Sequence, residues 1–389
     1  MKNFDSQQGA ILIIVLWFIA IITVMVAALA SETRLSAKIV FHNKMALQTW
    51  NDTLQALHSA QMELLINRMP DPPGEEKEIP LSERKDKRYR FDGRVLNDLA
   101  YPVPKTVTIR IYDHAGRINI GNLHKYYKPM GQLLEKRIGK EDLEKLSALK
   151  YALIDWTDPD ELKRANGAEK EYYEELATPY KPRNRQLETV EELLLIKGFD
   201  EVFKDVEIET VFTVYGRHTR KGVNPNLATR EALLLLPGLD EETVDTILVK
   251  RREKEFKRHI DFNEFIEPEQ FAEVRSWFNF STSNFYTIAV QVKKAEEIAK
   301  LAETDEEETN TEQSEEVEVP PQSGKAENQR AYMVTLELSS SHRKSFNELP
   351  KILMVNPYGV LPDTRHFSIP VDESKDNKSE GTRSSLFGN

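Results

Sequence analysis

The sequence predicts an α+β fold, in which a long N-terminal helix packs on an antiparallel β-sheet and a large all-α domain is inserted between the strands. Three observations carry this prediction. An apolar and then amphipathic helical pattern fills residues 10–69, alternating apolar and polar segments lie before residue 121 and after residue 280, and helical periodicity fills the interval between them. A chain of 389 residues allows one large or two to three modest domains.

Composition excludes several functions. The net charge of −11 argues against general nucleic-acid affinity, which needs clustered Lys and Arg. Without cysteine, the chain has no disulfide, thiolate metal site or cysteine nucleophile. Its eight histidines are scattered, and it contains neither a Gly-rich phosphate loop nor a G-x-S-x-G elbow. We therefore expect a protein that is not an enzyme.

The N-terminal helix begins with a membrane-length apolar stretch. Residues 10–30 contain Thr23 as their only polar side chain, and 21 residues at ~1.5 Å each span ~30 Å, enough for a bilayer core. A cleaved secretory signal would be shorter and would carry small residues at its C-terminal end. Here the small residues Gly9 and Ala10 precede the apolar stretch. A plain membrane anchor stays open as an alternative.

An amphipathic second half follows from residue 31 to residue 69. Apolar residues recur there mostly at three-, four- and seven-residue spacings. They include Leu35, Ile39, Trp50, Leu54 and Leu57. The segment PDPPG at 70–74 then ends the helix, because proline removes backbone donors. A simple anchor has no need of this second half.

The rest of the chain divides by pattern. We expect the first part of the sheet at 70–120, the inserted helical domain at 121–280 and the second part of the sheet at 281–362. Strands are predicted at 88–96, 105–120, 284–294, 330–340 and 351–356. The acidic stretch 302–329 predicts a disordered loop between two strands, and the polar tail 363–389 is predicted to be disordered.

An internal repeat lies within the predicted insertion. LETVEELLLIKGFDE (187–201) and LATREALLLLPGLDE (227–241) agree at nine of fifteen positions. Each predicts a helix capped by threonine and a turn on glycine, and the second copy resembles a helix-hairpin-helix unit. Such a unit either binds phosphate through turn amides or serves as a packing module. Asp240 and its acidic neighbours favour packing, whereas the basic run 250–259 keeps DNA binding open.

Carboxylates crowd a second segment, LIDWTDPDELKRANGAEKEYYEELATPYKPRN (153–184). The candidate metal ligands are Asp158, Asp160, Glu169 and Glu171, with Asp155 beside them. Hard oxygen ligands on an irregular loop suit Ca²⁺, and Gly167 allows a sharp turn. Helix capping and solvation remain the alternative interpretation of the same residues.

The N-terminal stretch resembles the type IV pilin-like proteins, in which a prepilin peptidase cuts after glycine and methylates the new N-terminus. The resemblance places that cut between Gly9 and Ala10. Most pilins carry a glutamate at the fifth mature position, where it neutralises a neighbouring subunit's N-terminus; here that position is Ile14. Loss of this carboxylate suits a subunit with no neighbour above it, because an unpaired buried carboxylate is costly.

More specifically, the chain resembles the K-type minor pseudopilins of type II secretion systems. The motifs are GRINI (116–120), a DW-x-D-x-D start, a G-A-E with paired tyrosines, a P-Y-x-P-x-N segment and N-x-N-x-A-T before a helix. They are carried, in order, by Asp155, Trp156, Asp158, Asp160, Gly167, Ala168, Glu169, Tyr172, Tyr173, Asn184, Asn224 and Asn226. The resemblance covers the chain from Gly9 to about Asn356.

The resemblance implies a type IV pilin-like fold, calcium near the carboxylates, and a role at the tip of a periplasmic pseudopilus in protein export. The implied partners are the I-type and J-type minor pseudopilins, the major pseudopilin, the prepilin peptidase and the inner-membrane assembly platform. Ile14 and the apolar residues of the amphipathic half would face partner helices. We expect a single-pass inner-membrane protein with a periplasmic domain and no nucleic-acid partner. The alternative is a membrane-anchored helix-hairpin-helix DNA-binding protein for DNA uptake or a type IV pilus.

Overall fold

The computed structural model describes residues 5–68, 89–97, 99–121, 127–216, 222–293, 330–339 and 349–363. The first four residues of the predicted leader, the acidic loop 302–329 and the tail beyond residue 363 lie outside the described residues. The chain divides into two compact units, Met1–Gln55 and Ala56–Asn389.

The first unit is helical. Helix α1 runs over Asp5–Asn67, and its part up to Gln55 belongs to this unit. Neither glycine nor proline occurs between Ala10 and Arg68, so nothing there interrupts the backbone hydrogen bonds. The apolar side chains of residues 13–29 are exposed, and the most apolar 18-residue window has a mean hydropathy of 2.9. The helix is long and apolar enough to cross a bilayer, which fits a single-pass membrane anchor.

The last turns of α1 belong to the second unit and pack on its sheet. Ala56, Ala60 and Leu64 are fully buried at four-residue spacing, which places them on one face of the helix. They share a core with Ile109, Ile111, Ile288, Val334 and Leu336. Burial of a leucine such as Leu64 contributes roughly 1.5–3 kcal/mol. Just beyond the helix, the Arg68 side chain donates to the Ser283 carbonyl (2.9 Å) and to Asn284 Oδ1 (2.6 Å).

An antiparallel sheet forms the centre of the second unit. The strands are β1 (Asp92–Val95), β2 (Val107–Asp113), β3 (Ile118–Asn119), β4 (Phe212–Thr213), β5 (Phe285–Val292), β6 (Arg330–Glu337) and β7 (Lys351–Val360). The five-stranded sheet has the order β1-β2-β5-β6-β7, and β3 pairs with β4 in a separate parallel pair. The chain crosses from β2 to β5, neighbours in the sheet, through all of the helical region, as the sequence pattern predicts.

Strand ends differ from the predicted ones for local reasons. The predicted strand 105–120 stops at Asp113, whose Oδ1 accepts from the Ala115 amide and starts a 3-10 turn at His114–Gly116. The last strand extends to Val360 rather than Asn356. It passes through Pro357, which an edge strand tolerates because no partner needs the missing N–H group there.

The helical region lies between β2 and β5. Its helices are α2 (Tyr127–Ile138), α3 (Leu143–Thr157), α4 (Lys170–Glu174), α5 (Phe199–Val202), α6 (Ile208–Val211), α7 (Arg230–Leu235), α8 (Glu241–Glu253) and α9 (Pro268–Val274). They enclose a core of their own, yet they belong to the same compact unit as the sheet. The buried His114 ring links the two, with Thr213 Oγ1 at 2.7 Å and Thr287 Oγ1 at 2.8 Å from its nitrogens. The α+β prediction is confirmed.

The two copies of the repeat fold differently. The second copy forms α7 with the predicted cap, since Thr229 Oγ1 accepts from the Ala232 amide at 3.1 Å. Before its glycine, the first copy has a 3-10 helix at Glu191–Leu195 in place of an α-helix, and Val190 rather than Thr189 precedes it, so the capped-helix prediction is wrong there. Both turn glycines, Gly198 and Gly238, have the left-handed conformation, with φ of 78° and 77°.

Candidate functional site

An aromatic cluster positions the carboxylate segment. Trp156, near the end of α3, is 2% exposed and meets the ring of Tyr173 on α4 edge-on at 5.1 Å. Tyr180 lies 5.2 Å from Tyr173 and 6.1 Å from Trp156, and Tyr172 completes the group. These rings join α3 to α4, so the loop 158–169 between the two helices has fixed ends. The role of these tyrosine and tryptophan side chains is therefore structural: their packing fixes the two ends of the loop.

Two aspartates at the end of α3 share one arginine. Asp155 is fully buried, and its Oδ1 accepts from Arg164 Nη1 at 2.9 Å, while its Oδ2 accepts from the Arg164 backbone amide at 3.2 Å. The same guanidinium nitrogen donates to Asp158 Oδ2. A Cβ on Gly167 would lie 2.0 Å from Asp155 Oδ2, so glycine is needed for the close approach of this carboxylate.

Four buried oxygens of the segment have no hydrogen-bond partner: Asp158 Oδ1, both carboxylate oxygens of Glu169, and Asn184 Oδ1. Glu169 is 5% exposed and Asp158 is 7% exposed. Burial first, and then the charges of Asp155 and Asp158, raise the pKa of Glu169 to about 7; the adjacent Lys170 amide, which makes no hydrogen bond of normal geometry to this carboxylate, offsets part of the rise. Buried oxygens without donors call for a cation or a proton.

The predicted ligands separate into two pairs. Asp158 and Glu169 are buried. They also lie near each other, since the charge of Asp158 helps to raise the pKa of Glu169. Asp160 is exposed, and its Oδ1 accepts from the Leu162 amide at 2.9 Å, although its charge also acts on Glu169. Glu171 is exposed in the first turn of α4.

Two further residues complete the segment, and neither was a predicted ligand. Arg164 neutralises the aspartates, as described above. Asn184 joins through its backbone amide, which donates to the Trp156 carbonyl at 3.0 Å, and through Nδ2, which donates to the Asp160 carbonyl at 3.3 Å. Asn184 takes a left-handed conformation with φ of 52°, which asparagine tolerates better than most residues.

The donor set fits a hard cation. Carboxylate, amide and backbone oxygens are the ligands that Ca²⁺ takes, and the unpartnered oxygens of Asp158, Glu169 and Asn184 supply this chemistry. In the parts of the chain that the structure describes, however, no three Asp, Glu or His side chains already converge as a metal site. Calcium binding here therefore stays a prediction.

The asparagines before α7 have a structural role. Asn226 is 1% exposed, and its amide group donates to the Phe256 carbonyl (2.8 Å) and accepts from the Phe256 amide (2.9 Å). Asn224 Nδ2 donates to the Ser281 carbonyl at 3.1 Å, and its backbone amide donates to the Ala115 carbonyl at 2.7 Å. These bonds join segments far apart in sequence, which the spacing of the motif alone does not reveal.

The hairpin turn after α7 is covered. A Cβ on Gly238 would lie 2.4 Å from the Gln270 carbonyl, so α9 packs directly against the turn. Lys136 Nζ donates to the carbonyls of Leu234, Leu236 and Leu239. Asp240 caps α8 by accepting from the Thr243 amide at 2.9 Å, and this bond helps to lower the pKa of Asp240. Its carboxylate stands where a phosphate would bind.

The basic run 250–259 does not form a continuous exposed face. Arg251 is fully buried, and its Nη1 donates to the carbonyls of Pro225 (3.2 Å) and Ala228 (2.6 Å). Phe256 in the same run is 6% exposed and packs on Phe262. Because DNA binding needs several basic groups on one surface, this arrangement disfavours the DNA-binding alternative.

Residues predicted for processing and partner contacts lie along α1. The helix begins at Asp5 and runs through the Gly9–Ala10 junction, five residues before the predicted start. Ile14, Leu35, Ile39 and Trp50 are exposed, and Leu54 is half-buried. Leu57 is 6% exposed within the core that α1 shares with the sheet, so its assignment to a partner-helix contact is corrected: packing within the chain occupies it.

The segment around the carboxylate loop is similar to known proteins. Residues 116–206 match the family described as type II secretion system (T2SS), protein K. A protein of Pectobacterium carotovorum subsp. carotovorum named type II secretion system protein K is 35% identical over 69 residues, which are 18% of this chain and 21% of that protein. The chain thus matches about a fifth of the length of this curated relative.

A solved structure is also similar. The GspK-GspI-GspJ complex from the enterotoxigenic Escherichia coli type 2 secretion system matches with a TM-score of 0.46 and 11% sequence identity, over 82% of this chain and 100% of the matched chain. The predicted resemblance to the K-type proteins is confirmed over the family match, which runs from the GRINI motif through the carboxylate loop.

Proposed function

We propose that this protein is a minor pseudopilin of a type II secretion system, placed at the tip of the periplasmic pseudopilus, where it initiates assembly and supports export. The observation that carries the proposal is the match of residues 116–206 to protein K in a chain that also has one membrane-length N-terminal helix. The role is structural, and no catalytic step is assigned.

Processing at the Gly9–Ala10 junction would produce the mature subunit. Cleavage there leaves the apolar half of α1 at the new N-terminus, anchored in the inner membrane with the second unit in the periplasm. Coexpression with prepilin peptidase, followed by mass spectrometry, tests this step. We expect a chain that starts at N-methylated Ala10; an intact Met1 or a cut near Ala30 would contradict the proposal.

Tip placement is supported by two features. Ile14 stands where most pilins have a carboxylate for the subunit above, and the helical region between β2 and β5 would obstruct a subunit stacked on top. We therefore assign the I-type and J-type minor pseudopilins as lateral partners, the major pseudopilin below, and the inner-membrane platform as the assembly site.

Cysteine cross-linking tests these contacts, because the chain has no native cysteine. Leu35→Cys and Ile39→Cys, both at exposed sites, should cross-link to the helices of coexpressed I-type and J-type subunits. Leu57→Cys is the matched control, since its side chain packs within the chain and should give no intermolecular product. Absence of a cross-link from residues 35 and 39 would argue against helix-to-helix assembly.

Calcium binding to the carboxylate loop is part of the proposal. Asp158 and Glu169 would hold the ion, with Asn184 beside them, and the ion would supply the positive charge that four buried oxygens lack. The full-length protein in detergent should melt at a higher temperature in Ca²⁺ than in EDTA. Identical melting curves in the two buffers would refute calcium binding.

A further inference from the structure

We infer that Arg164 is a tethered counter-ion that competes with calcium for the carboxylates of the 158–169 loop. This inference rests on the proposed calcium site and adds to it a residue that sets the affinity. The guanidinium forms ion pairs with Asp155 Oδ1 at 2.9 Å and with Asp158 Oδ2. A single positively charged side chain thus bridges the two buried aspartates.

The geometry separates the carboxylate oxygens into occupied and unoccupied ones. Both oxygens of Asp155 accept bonds from Arg164, and Gly167 holds this carboxylate in place by its close approach. Asp158 gives one oxygen to Arg164 and leaves the other without a donor, while Glu169 has none for either oxygen. Arg164 therefore neutralises the deep side of the cluster and leaves Glu169 unpaired.

A calcium ion needs six to eight oxygen ligands, more than the unoccupied oxygens of Asp158 and Glu169 provide. If the guanidinium released Asp158 Oδ2, both carboxylate oxygens of Asp158 would be available to the ion. In addition, a divalent ion and a guanidinium repel each other at this range. Binding of calcium is thus opposed by the bond between Arg164 and Asp158.

Arg164 is placed so that it can leave. Its side chain is 36% exposed, in contrast to the fully buried Asp155 that it contacts. It lies on the loop, and the neighbouring residues 159–163 and 165–166 are exposed. Movement of the guanidinium into water therefore breaks its bonds to Asp155 and Asp158 and leaves the ring contacts of the aromatic cluster, in which Arg164 takes no part, in place. The arginine stabilises the calcium-free loop. Because calcium must displace the arginine to bind, the free energy of that displacement lowers the apparent affinity for calcium.

Isothermal titration of Ca²⁺ into the full-length protein in detergent tests the competition. We expect Arg164→Gln to tighten the calcium Kd by about tenfold, which corresponds to about 1.4 kcal/mol. The same variant should melt at a lower temperature than wild type in EDTA, because Asp155 loses its partner. Lys163→Gln is the matched control: it removes the same charge from an exposed neighbour and should leave the Kd unchanged.

Arg164→Lys keeps the charge without the planar fork and should lie between wild type and Arg164→Gln. If Arg164→Gln is unfolded in EDTA, folding on addition of Ca²⁺ supports the competition, and failure to fold in Ca²⁺ overturns it. If wild type and Arg164→Gln bind calcium with the same Kd, the competition is overturned and the calcium site is not. Absence of calcium binding in wild type and in both Arg164 variants overturns the calcium site as well.

Discussion

The carboxyl group of Glu169 is the best place to perturb the loop, because its ionisation opposes folding in the absence of metal. Burial, with Asp155 and Asp158 nearby, raises its pKa from 4.5 to about 7 in the folded protein. The folded state therefore binds this proton more tightly than the unfolded chain. The resulting stability is fully present below pH 4.5 and is lost as the pH rises through 7.

The magnitude follows from the shift. A rise from 4.5 to about 7 corresponds to about 3 kcal/mol, and screening by solvent around the loop reduces this to about 2 kcal/mol. Glu169→Gln cannot ionise and escapes the loss. In EDTA at pH 8, we expect the variant to exceed wild type by about 2 kcal/mol in free energy of unfolding, and at pH 4.5 to differ by less than about 0.5 kcal/mol.

Urea titrations of the full-length protein in detergent, followed by tryptophan fluorescence, provide the measurement; Trp156 lies in the aromatic cluster beside the loop. Glu171→Gln is the control, since Glu171 is exposed on α4. It should follow the wild-type pH dependence. Parallel pH curves for wild type and Glu169→Gln between pH 5 and 8 would refute the reasoning, as would a variant that is less stable than wild type at pH 8.

Two further substitutions test the supports of the site. Gly167→Ala should destabilise the protein by about 2–4 kcal/mol, because the new Cβ would meet Asp155 Oδ2; a loss below about 1 kcal/mol, measured by urea unfolding, would contradict this close approach. Asn226→Ala should cost about 2–3 kcal/mol, since both backbone groups of Phe256 lose their partner. Its thermal melt should show this loss, whereas Asn263→Ala, at an exposed position with an ordinary φ of −65°, should melt like wild type within a few degrees.

Much of the fold was predictable from local patterns. The apolar stretch 10–30, the amphipathic spacing of residues 31–69 and the proline-rich segment after them predicted α1, because helix formation depends on local periodicity and on an uninterrupted series of backbone hydrogen bonds. Alternating side chains predicted the strands, because neighbouring residues of a strand face opposite sides of a sheet. Strand ends were less accurate: the side chain of Asp113 and the edge position of β7 decide them.

The candidate site was predictable in composition but not in arrangement. The spacing of carboxylates in the sequence offered no reason to rank Asp158, Asp160, Glu169 and Glu171 as candidate ligands. In the folded protein Asp158 and Glu169 are buried, and the other two are exposed. Burial depends on how α3 and α4 pack through their aromatic rings, which local spacing does not contain. Arg164 stood among ordinary surface charges in the sequence.

The sequence by itself therefore determined the membrane-length helix, the α+β order of elements and the similarity of residues 116–206 to protein K, since all of these are local or linear properties. Tertiary structure alone decided that Leu57 packs within the chain, that Asn226 joins distant segments, and that Arg164 bridges Asp155 and Asp158. Each of these depends on which surfaces meet once the chain has folded, and the energy of a buried charge depends on its partners there.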